Sequence, residues 1–438
     1  MNKPKIILGS ALIALAATGA LAGQAQRKPA ARKAAATAPA PKPRALTQSQ
    51  ALVKSYVTTH KVPGIVAAIG QGDAPPRILA DGALSFDAGA TTADGNSLWR
   101  VYSMTKPITG MAAMMLVEEG KLKLDQPISD FFPGFKNMTV LVDPAKDLTA
   151  VPAKTPITVR HLLTHTAGLG YTIVTTGPLL KEYEKNGILP FTGTSALEQQ
   201  ARVVRPKTLA EFANRVATLP LIAEPGTKWS YSIGLDVLGA VIEKASGMPF
   251  DTFLQTRIFT PLKMQSTYFT VPKDAAARLA TGYTFIGANP VPIDPGATSV
   301  FLQPPSFPYG GAGLVTSAND YDRFLRMLQN GGMLDGVRVM KRETVALAMS
   351  NLLPNGVTYT DSGTKAVLGF GAGGSVTLAD VPGGPGKGTY GWGGAAGTIA
   401  WVDRARGQRV TVMVNYIPAQ QWPLRADFMK AFYTDTGR

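Results

Sequence analysis

The chain has 438 residues, of which 45% are hydrophobic and 17% charged, and its formal net charge is +15. This composition excludes a disordered chain, and the length is sufficient for two structural units around a sizeable core. Cysteine is absent, which excludes disulfides, thiolate nucleophiles and cysteine-based metal sites.

The first 45 residues have a different composition from the rest. Residues 1–22 join a cationic start to an apolar run that ends in ALA, which is typical of a signal peptide. A membrane anchor is the alternative, because the apolar run is near the shortest length that spans a bilayer. Residues 23–45 alternate proline, alanine and basic residues, which predicts a disordered linker. We therefore expect an exported protein, either periplasmic or secreted.

Much of the positive charge lies in this leader. Eight basic residues and no acidic residue precede residue 46, which leaves +7 for the rest of the chain. A nucleic-acid site requires clustered Lys and Arg interleaved with aromatic residues, and no such run follows residue 45, so we expect no nucleic-acid partner. Weak contact of the basic tail with an anionic envelope surface and a plain solvated spacer both stay open. The sequence does not indicate the oligomeric state.

The periodicity of apolar residues predicts the elements in chain order. Residues 47–64 have helical spacing, and short, partly alternating runs predict strands of an antiparallel sheet at 64–71, 77–89 and 97–103. Helices are then predicted at 103–122, 208–221, 232–247 and 317–332. The chain returns to strands in a hairpin at 397–416, whose turn contains Gly407, and ends in a helix at 424–435.

Strands near both chain ends enclose a helical block. This order predicts an α/β domain built from residues 46–102 and 331–438, with a mainly helical domain, residues 103–330, inserted into it. A pocket between two such units is the default position for a binding site.

The candidate nucleophile is Ser103, which forms an S-x-x-K pattern with Lys106. A spacing of three at the start of a helix brings the amine toward the hydroxyl, and the helix N-terminus favours a nearby oxyanion. A serine cap beside a surface lysine is the alternative. The same pattern recurs at Ser362 and Lys365 within a turn-rich stretch, so the pattern alone is not specific. The nucleophile elbow G-x-S-x-G is absent.

His161 and His165 stand four residues apart in RHLLTH, as zinc ligands do on one face of a helix. The glutamate of that zinc motif is missing, since Leu162 occupies its place, and no third ligand is near in sequence. We therefore expect hydrogen-bonding histidines, with no metal ion and no organic cofactor.

Two further stretches give the pattern specificity. Tyr231 stands just ahead of an amphipathic helix, and Trp392-Gly393-Gly394 leads into a strand. With ITVRHLLTHTAGLGY and GGAGLVTSANDYDRFLRMLQNGG in the same order, the chain from residue 46 onward resembles the serine β-lactamase and penicillin-binding protein superfamily. Within that superfamily it is most similar to the class C-related family VIII carboxylesterases. The resemblance implies an α/β fold in which helices flank an antiparallel sheet.

The resemblance also implies an acyl-enzyme mechanism. Ser103 would attack the carbonyl carbon, and Lys106 and Tyr231 would share the removal and return of its proton. Which of the two acts as the general base stays open. The backbone N–H groups of Ser103 and Ala395 would form the oxyanion hole.

Departures from the superfamily pattern bear on the substrate. Ile233 stands where β-lactamases commonly have asparagine, and Trp392-Gly393-Gly394 replaces the usual Lys-Thr-Gly. Loss of the cation removes a charge-assisted hydrogen bond of about 1.5–3 kcal/mol to a substrate carboxylate. Trp392 instead offers apolar surface, although a core aromatic is the alternative. These changes favour small neutral esters, and Trp392, Gly393, Gly394 and Ile233 are the predicted substrate contacts.

Two long irregular segments, residues 172–208 and 281–311, are rich in apolar and aromatic residues. Long loops of this kind often shape a binding site. We expect Tyr171, Phe301 and Tyr309 to line an acyl or alcohol pocket.

The sequence thus predicts a serine esterase. The alternatives are a β-lactamase or D-amino-acid peptidase or amidase, an acyltransferase of the same fold, and a non-catalytic envelope binding protein.

Overall fold

The computed structural model describes residues 45–190, 194–361 and 364–437. The predicted signal peptide, all but the last residue of the predicted linker, and Ser362 of the second S-x-x-K pattern lie outside these residues. Within the described ranges, every helix is too short or too polar to cross a bilayer.

Helices and strands alternate irregularly along the chain. The helices are α1 (Thr47–Thr58), α2 (Thr105–Glu118), α3 (Val159–Leu163), α4 (Pro178–Lys185), α5 (Ser195–Val204), α6 (Leu209–Val216), α7 (Gly234–Ser246), α8 (Phe250–Leu254), α9 (Ala318–Gln329), α10 (Arg342–Ala348) and α11 (Leu424–Thr436). The strands are β1 (Gly64–Gln71), β2 (Arg77–Gly82), β3 (Leu98–Arg100), β4 (Thr139–Leu141), β5 (Ala150–Pro152), β6 (Gly282–Ile286), β7 (Asn289–Asp294), β8 (Val315–Ser317), β9 (Met333–Leu334), β10 (Val337–Arg338), β11 (Tyr359–Thr360), β12 (Val367–Phe370), β13 (Ser375–Val376), β14 (Tyr390–Gly393), β15 (Ile399–Asp403) and β16 (Gln408–Met413).

Strands from both ends of the chain form one eight-stranded sheet in the order β11-β12-β13-β14-β15-β16-β1-β2. Each neighbouring pair is antiparallel, and β1 lies directly beside β16, with Val66 opposite Met413. The predicted α/β class and the antiparallel sheet shared by the two chain ends are therefore confirmed. The hairpin predicted at 397–416 is β15 and β16, and Gly407 has a φ of +61° in its turn.

Helices cover both faces of this sheet. Ile65, Ala67 and Ile69 of β1 pack in a cluster with α1 and α11, whereas Val66 and Ala68 belong to the larger core on the opposite face, where α9 crosses the sheet. Because alternate residues face opposite layers, a strand covered on both sides must be apolar throughout. This explains the nearly continuous apolar run of β1.

Two local features differ from the predicted elements. The run at 97–103 forms only the short strand β3, which pairs with β8 outside the main sheet, because strand pairing depends on distant residues that local alternation does not specify. Ser103 does not cap the following helix, since it lies in a 3₁₀ turn, Tyr102–Met104, and α2 begins at Thr105. The boundaries between the two predicted domains stay a prediction.

α2 is buried on all sides. Its residues from Thr105 to Leu116 are buried, and the helix contacts α7, α8 and α10. A helix that is apolar all round is typical of a protein core. The run MAAMML is therefore packing surface, and it fixes the start of α2 rigidly within the molecule.

Candidate active site

Ser103 lies at a sharp turn between β3 and α2. The preceding residue, Tyr102, has a φ of +39°, which is rare for a non-glycine residue and costs on the order of 1–3 kcal/mol. The turn leaves Ser103 8% exposed, just ahead of the first turn of α2. Such strain at a nucleophile candidate indicates that the surrounding structure holds the side chain in a required direction.

Three predicted catalytic side chains meet at Ser103 Oγ. The Tyr231 hydroxyl donates to this oxygen at 2.6 Å, and the Lys106 ammonium donates to it at 3.1 Å. Lys106 is 1% exposed, and its Nζ lies 4.7 Å from the centre of the Tyr231 ring. Ser103 and Lys106 come from one turn, whereas Tyr231 arrives from the segment before α7. This arrangement allows a proton to pass between all three groups.

A buried carboxylate lies behind Lys106. The lysine Nζ also donates to the carbonyl oxygen of Gly311 at 2.7 Å, and the Gly311 N–H donates to Asp236 Oδ1 at 2.7 Å. Burial raises the pKa of Asp236 to about 6, although the Lys106 ammonium and the Gly311 N–H pull it down in part. Sequence analysis did not single out Asp236 or Gly311.

A buried imidazole supports the Tyr231 segment. His165 Nδ1 lies 2.9 Å from Ser232 Oγ and accepts the Ser232 N–H at 3.2 Å, and its ring lies 4.8 Å from that of Tyr231. Burial, with a smaller effect of the Lys106 ammonium, holds the pKa of His165 well below its usual value, so the imidazole is neutral.

The two histidines of RHLLTH do not share a helix face. His161 lies in α3, where its Nδ1 accepts the Thr158 N–H at 3.2 Å, whereas His165 lies beyond the helix with a φ of +57°. Both therefore form hydrogen bonds, as the sequence predicted. Across the parts of the chain that the structure describes, no group of three or more histidine or acidic side chains is arranged to hold a metal ion.

Aromatic rings pack beside the ring of Tyr231. The Trp392 ring of β14 lies 6.0 Å from the Tyr231 ring and 5.1 Å from Phe370, and it stays partly exposed. Tyr359 completes this group at 5.9 Å from Trp392. Trp392 and Gly393 occupy the last two positions of β14, and their role as substrate contacts stays a prediction.

The turn after β14 approaches the chain that leads to Ser103. A side chain at Gly394 would collide with the carbonyl oxygen of Val101, so only glycine allows this close approach. Ala395 follows in the same turn and is exposed. Among the described residues, the backbone N–H groups of Ser103 and Ala395 have no hydrogen-bond acceptor. Both are therefore available to an oxyanion.

The other predicted pocket residues are buried. Ile233 is 3% exposed, Phe301 0% and Tyr309 2%, and all three pack in the main core. Tyr171 is 3% exposed, but its ring lies 5.6 Å from the Tyr231 ring and 5.7 Å from Lys106 Nζ. Tyr171 therefore borders the catalytic group, while contact of the other three with a substrate would require repacking. Their role as pocket residues stays a prediction.

Comparison with known proteins assigns the chain to a family. The family profile described as Beta-lactamase matches residues 50–431. The chain belongs to this family. The beta-lactamase family of serine enzymes also contains esterases, and the resemblance stated from the sequence is thereby confirmed.

Several relatives in this family are named as esterases or acyltransferases. Esterase EstB of Burkholderia gladioli is 32% identical over 340 residues, which cover 73% of this chain and 78% of the relative. Lovastatin esterase of Penicillium rubens is 31% identical over 365 residues, covering 77% of this chain and 84% of the relative. The solved structure of EstCE1, described as a hydrolase with promiscuous acyltransferase activity, has a TM-score of 0.72 and 26% identity over 88% of this chain and 98% of that one. The protein is therefore a serine hydrolase of the beta-lactamase family.

Proposed function

We propose that this protein is a serine esterase that cleaves small neutral carboxylic esters through an acyl-enzyme at Ser103. One observation carries the proposal: Ser103 Oγ lies within 2.6 Å of the Tyr231 hydroxyl and 3.1 Å of Lys106 Nζ. These distances are those of proton transfer, and a general acid or base must lie within such reach of the proton it moves. No cofactor is needed for this reaction.

Acylation begins with attack of Ser103 Oγ on the ester carbonyl carbon. The pair accepts the hydroxyl proton when Tyr231 and Lys106 together lack one proton, as a phenolate with an ammonium or a phenol with a neutral amine. The carbonyl oxygen becomes an oxyanion held by the N–H groups of Ser103 and Ala395. When the carbon–oxygen bond of the ester breaks, the pair returns the proton to the leaving alcohol. The acyl group stays on Ser103.

Deacylation repeats these steps with water. Water attacks the acyl carbon, gives a proton to the same pair and releases the carboxylic acid, while Ser103 Oγ regains a proton. The Tyr231 oxygen and the Lys106 nitrogen both lie within hydrogen-bond reach of Ser103 Oγ, and whichever of the two is deprotonated is the first acceptor.

The preference for neutral substrates rests on the residues around the hydroxyl. Trp392 supplies an apolar ring where a cation would receive a carboxylate, and the amide that β-lactamases commonly have is missing, since its position is occupied by the buried Ile233. An acidic substrate would lose its solvation at this site without gaining a charged partner. EstB and lovastatin esterase, both named as esterases, support ester cleavage.

The test is hydrolysis of short-chain p-nitrophenyl esters by the wild type and two serine variants. Ser103→Ala should lower kcat by at least ~10³-fold, because removal of the nucleophile abolishes the acyl-enzyme. Ser362→Ala, from the second S-x-x-K pattern, is the matched control and should retain full activity. Equal losses in the two variants would rule out Ser103 as the nucleophile that the assay reports.

Acyl transfer to an alcohol is a second candidate function. EstCE1 is described as a hydrolase with promiscuous acyltransferase activity, and the same acyl-enzyme serves both reactions. Addition of a primary alcohol to the ester assay should divert acyl groups into a new ester in proportion to the alcohol concentration. Product analysis by chromatography would detect this partition.

Two other functions predict different results. A β-lactamase or D-amino-acid peptidase would turn over nitrocefin or a D-alanyl peptide strongly while leaving p-nitrophenyl esters nearly intact. A non-catalytic envelope binding protein would not be labelled by a fluorophosphonate, whereas the esterase should be labelled at Ser103.

We also propose export to the periplasm or medium, which cell fractionation with and without residues 1–22 would test.

A further inference from the structure

Asp236 is a buried acid that is linked to Lys106 through the main chain of a single residue, Gly311. It takes no part in the mechanism above. We propose that Asp236 is a positioning residue that holds Lys106 against Ser103 through the main chain of Gly311. The inference rests on the proposed function, because it assigns a role in the same serine reaction.

The contacts run in one line from the acid to the nucleophile. Asp236 Oδ1 accepts the Gly311 N–H at 2.7 Å, the Gly311 carbonyl oxygen accepts Lys106 Nζ at 2.7 Å, and Lys106 Nζ donates to Ser103 Oγ at 3.1 Å. Each of these three bonds involves a charged group, the Asp236 carboxylate or the Lys106 ammonium, and is therefore stronger than a neutral one. The Asp236 carboxylate thus fixes the position of the Gly311 carbonyl oxygen, and this oxygen orients the Lys106 ammonium.

The loop that carries Gly311 is packed directly on α7. A side chain at Gly310 would collide with the carbonyl oxygen of Leu235, while the Thr109 hydroxyl donates to the Gly310 carbonyl oxygen at 2.7 Å. A Cβ at Gly311 would lie 2.8 Å and 3.0 Å from the two carboxylate oxygens of Asp236. The acid therefore presses against Gly311 itself, with no room for an intervening group.

Burial of the Asp236 carboxylate at this position is energetically unfavourable. It is 4% exposed, and a buried carboxylate carries a large desolvation cost unless neighbouring groups compensate it. Its compensation comes from the Gly311 N–H and from the charge of Lys106. Perturbed groups of this kind cluster at functional sites.

The primary test compares Asp236→Ala with Asp236→Asn in steady-state ester hydrolysis. The alanine variant should lower kcat about 10- to 100-fold with little change in KM, since misplacement of a catalytic group by about 1 Å has effects of this size. Asparagine keeps an oxygen for the Gly311 N–H and should restore kcat to within about 5-fold of the wild type. Fluorophosphonate labelling of Ser103 should slow in the same order.

Asp320→Ala is the matched control. Asp320 is also a buried acid in the first turn of a helix, and it accepts a loop N–H, that of Ser266, at 2.6 Å. Its other hydrogen bonds are with Thr267 and Ser317, which are not catalytic residues. This variant should lose stability while its kcat per folded molecule stays that of the wild type. A full kcat in Asp236→Ala, or an Asp236→Asn as impaired as the alanine variant, would overturn the proposal.

A double-mutant cycle with Gly311→Ala provides an independent measurement. The φ of Gly311 is not in the left-handed region, and the nearest atoms to an added methyl group are those of the Asp236 carboxylate, so the substitution acts mainly on this contact. Gly311→Ala should lower kcat in the wild type and have a smaller effect in Asp236→Ala. Strict additivity would contradict the proposal. If Asp236→Ala does not fold, an unchanged kcat in Gly311→Ala alone would overturn it.

Failure of the positioning role and failure of the proposed function would give different experimental results. If wild-type protein neither cleaves esters nor accepts a fluorophosphonate, the proposed function fails. The positioning role is then read from crystal structures of the wild type and Asp236→Ala. A Lys106 ammonium that keeps its bonds to Gly311 and Ser103 without the carboxylate would refute the role, and displacement of Lys106 would support it.

Discussion

Ser103 Oγ accepts hydrogen bonds from Tyr231 and Lys106, and either side chain is placed to exchange a proton with this oxygen. Tyr231 approaches from outside α2 and Lys106 from within it, and the amine lies against the tyrosine ring. The phenol is thus the closer partner, at 2.6 Å against 3.1 Å. At the residue scale, removal of each donor should have a different effect.

Tyr231→Phe should lower kcat by about 10²–10⁴-fold, the usual contribution of a general acid–base group. KM should change little, because the ring that packs near Trp392 and His165 remains. Steady-state kinetics on a p-nitrophenyl ester would measure both values. A kcat near that of the wild type would assign the proton transfer to Lys106 alone.

Asp236 should make stability depend on pH. Burial raises its pKa from 3.8 to about 6, so the folded protein binds the proton more tightly than the unfolded chain does. A raised acid pKa contributes stability at low pH, which is lost as the pH rises from about 4 to 6. The shift corresponds to about 3 kcal/mol in the free energy of unfolding.

The variant Asp236→Asn cannot ionise, so it lacks the pH-dependent contribution of this carboxyl to the free energy of unfolding. The free energy of unfolding of the variant minus that of the wild type should be larger at pH 8 than at pH 4, by about 2.5 kcal/mol. Urea denaturation at both pH values, followed by fluorescence, would measure the difference. Parallel pH profiles for the two proteins would show that the carboxyl keeps its ordinary pKa.

At the scale of elements, the β14–β15 hairpin brings backbone groups to the nucleophile. The strands pair Trp392 with Ala400, and their connecting turn carries Gly394 and Ala395 past Val101. The predicted substrate contact Trp392 and the proposed oxyanion N–H therefore come from one hairpin. A shift of its turn should affect catalysis more than folding.

Gly394→Ala tests the hairpin. Its methyl group would overlap both the Thr398 hydroxyl and the Val101 carbonyl oxygen, so the turn would have to shift. We expect kcat to fall by about 10²–10³-fold, as for loss of one oxyanion donor. Gly282→Ala in β6 is the control, because its Cβ would lie 3.7 Å from the Asp294 side chain, an ordinary contact distance. Ester hydrolysis with equal loss in both variants would contradict the role of the turn.

At the scale of the whole molecule, the first and last helices close the fold. Asp435 of α11 accepts the N–H groups of Gln48 and Ser49 at 2.8 Å each, at the start of α1, and the Tyr56 hydroxyl donates to Asp427 at 2.8 Å. The two helices cover the face of the sheet opposite α2. Their packing should therefore govern stability while leaving the catalytic geometry intact.

Phe428→Ala should destabilise the protein by about 3–5 kcal/mol, the usual cost of removing a fully buried aromatic ring. Phe428 lies in α11, edge-on to Trp401 with ring centres 6.4 Å apart. Thermal or urea unfolding would measure the loss, and kcat per folded molecule should match the wild type. A large drop in kcat at full folding would show that α11 affects the site.

The sequence by itself determined the elements whose signals are local. Amphipathic spacing and end signals located α7, α9 and α11 within a few residues, because helix formation depends on neighbours along the chain. The ordered motifs around Ser103, Lys106, Tyr231 and Trp392 indicated the family through their resemblance to its members, whereas spacing alone indicated only a possible serine hydrolase. Local pattern also distinguished Ser103 from the serine in the turn-rich second motif.

Only the tertiary structure decided which side chains meet. Local alternation could not assign β3 to a ladder with β8, and the burial of Phe301 and Tyr309 depends on packing partners far along the chain. Asp236 carries no signal in the sequence, since its role depends on a glycine 75 residues away in the chain. Long-range contacts, the charges they desolvate and the backbone turns they impose arise only when the whole chain has folded.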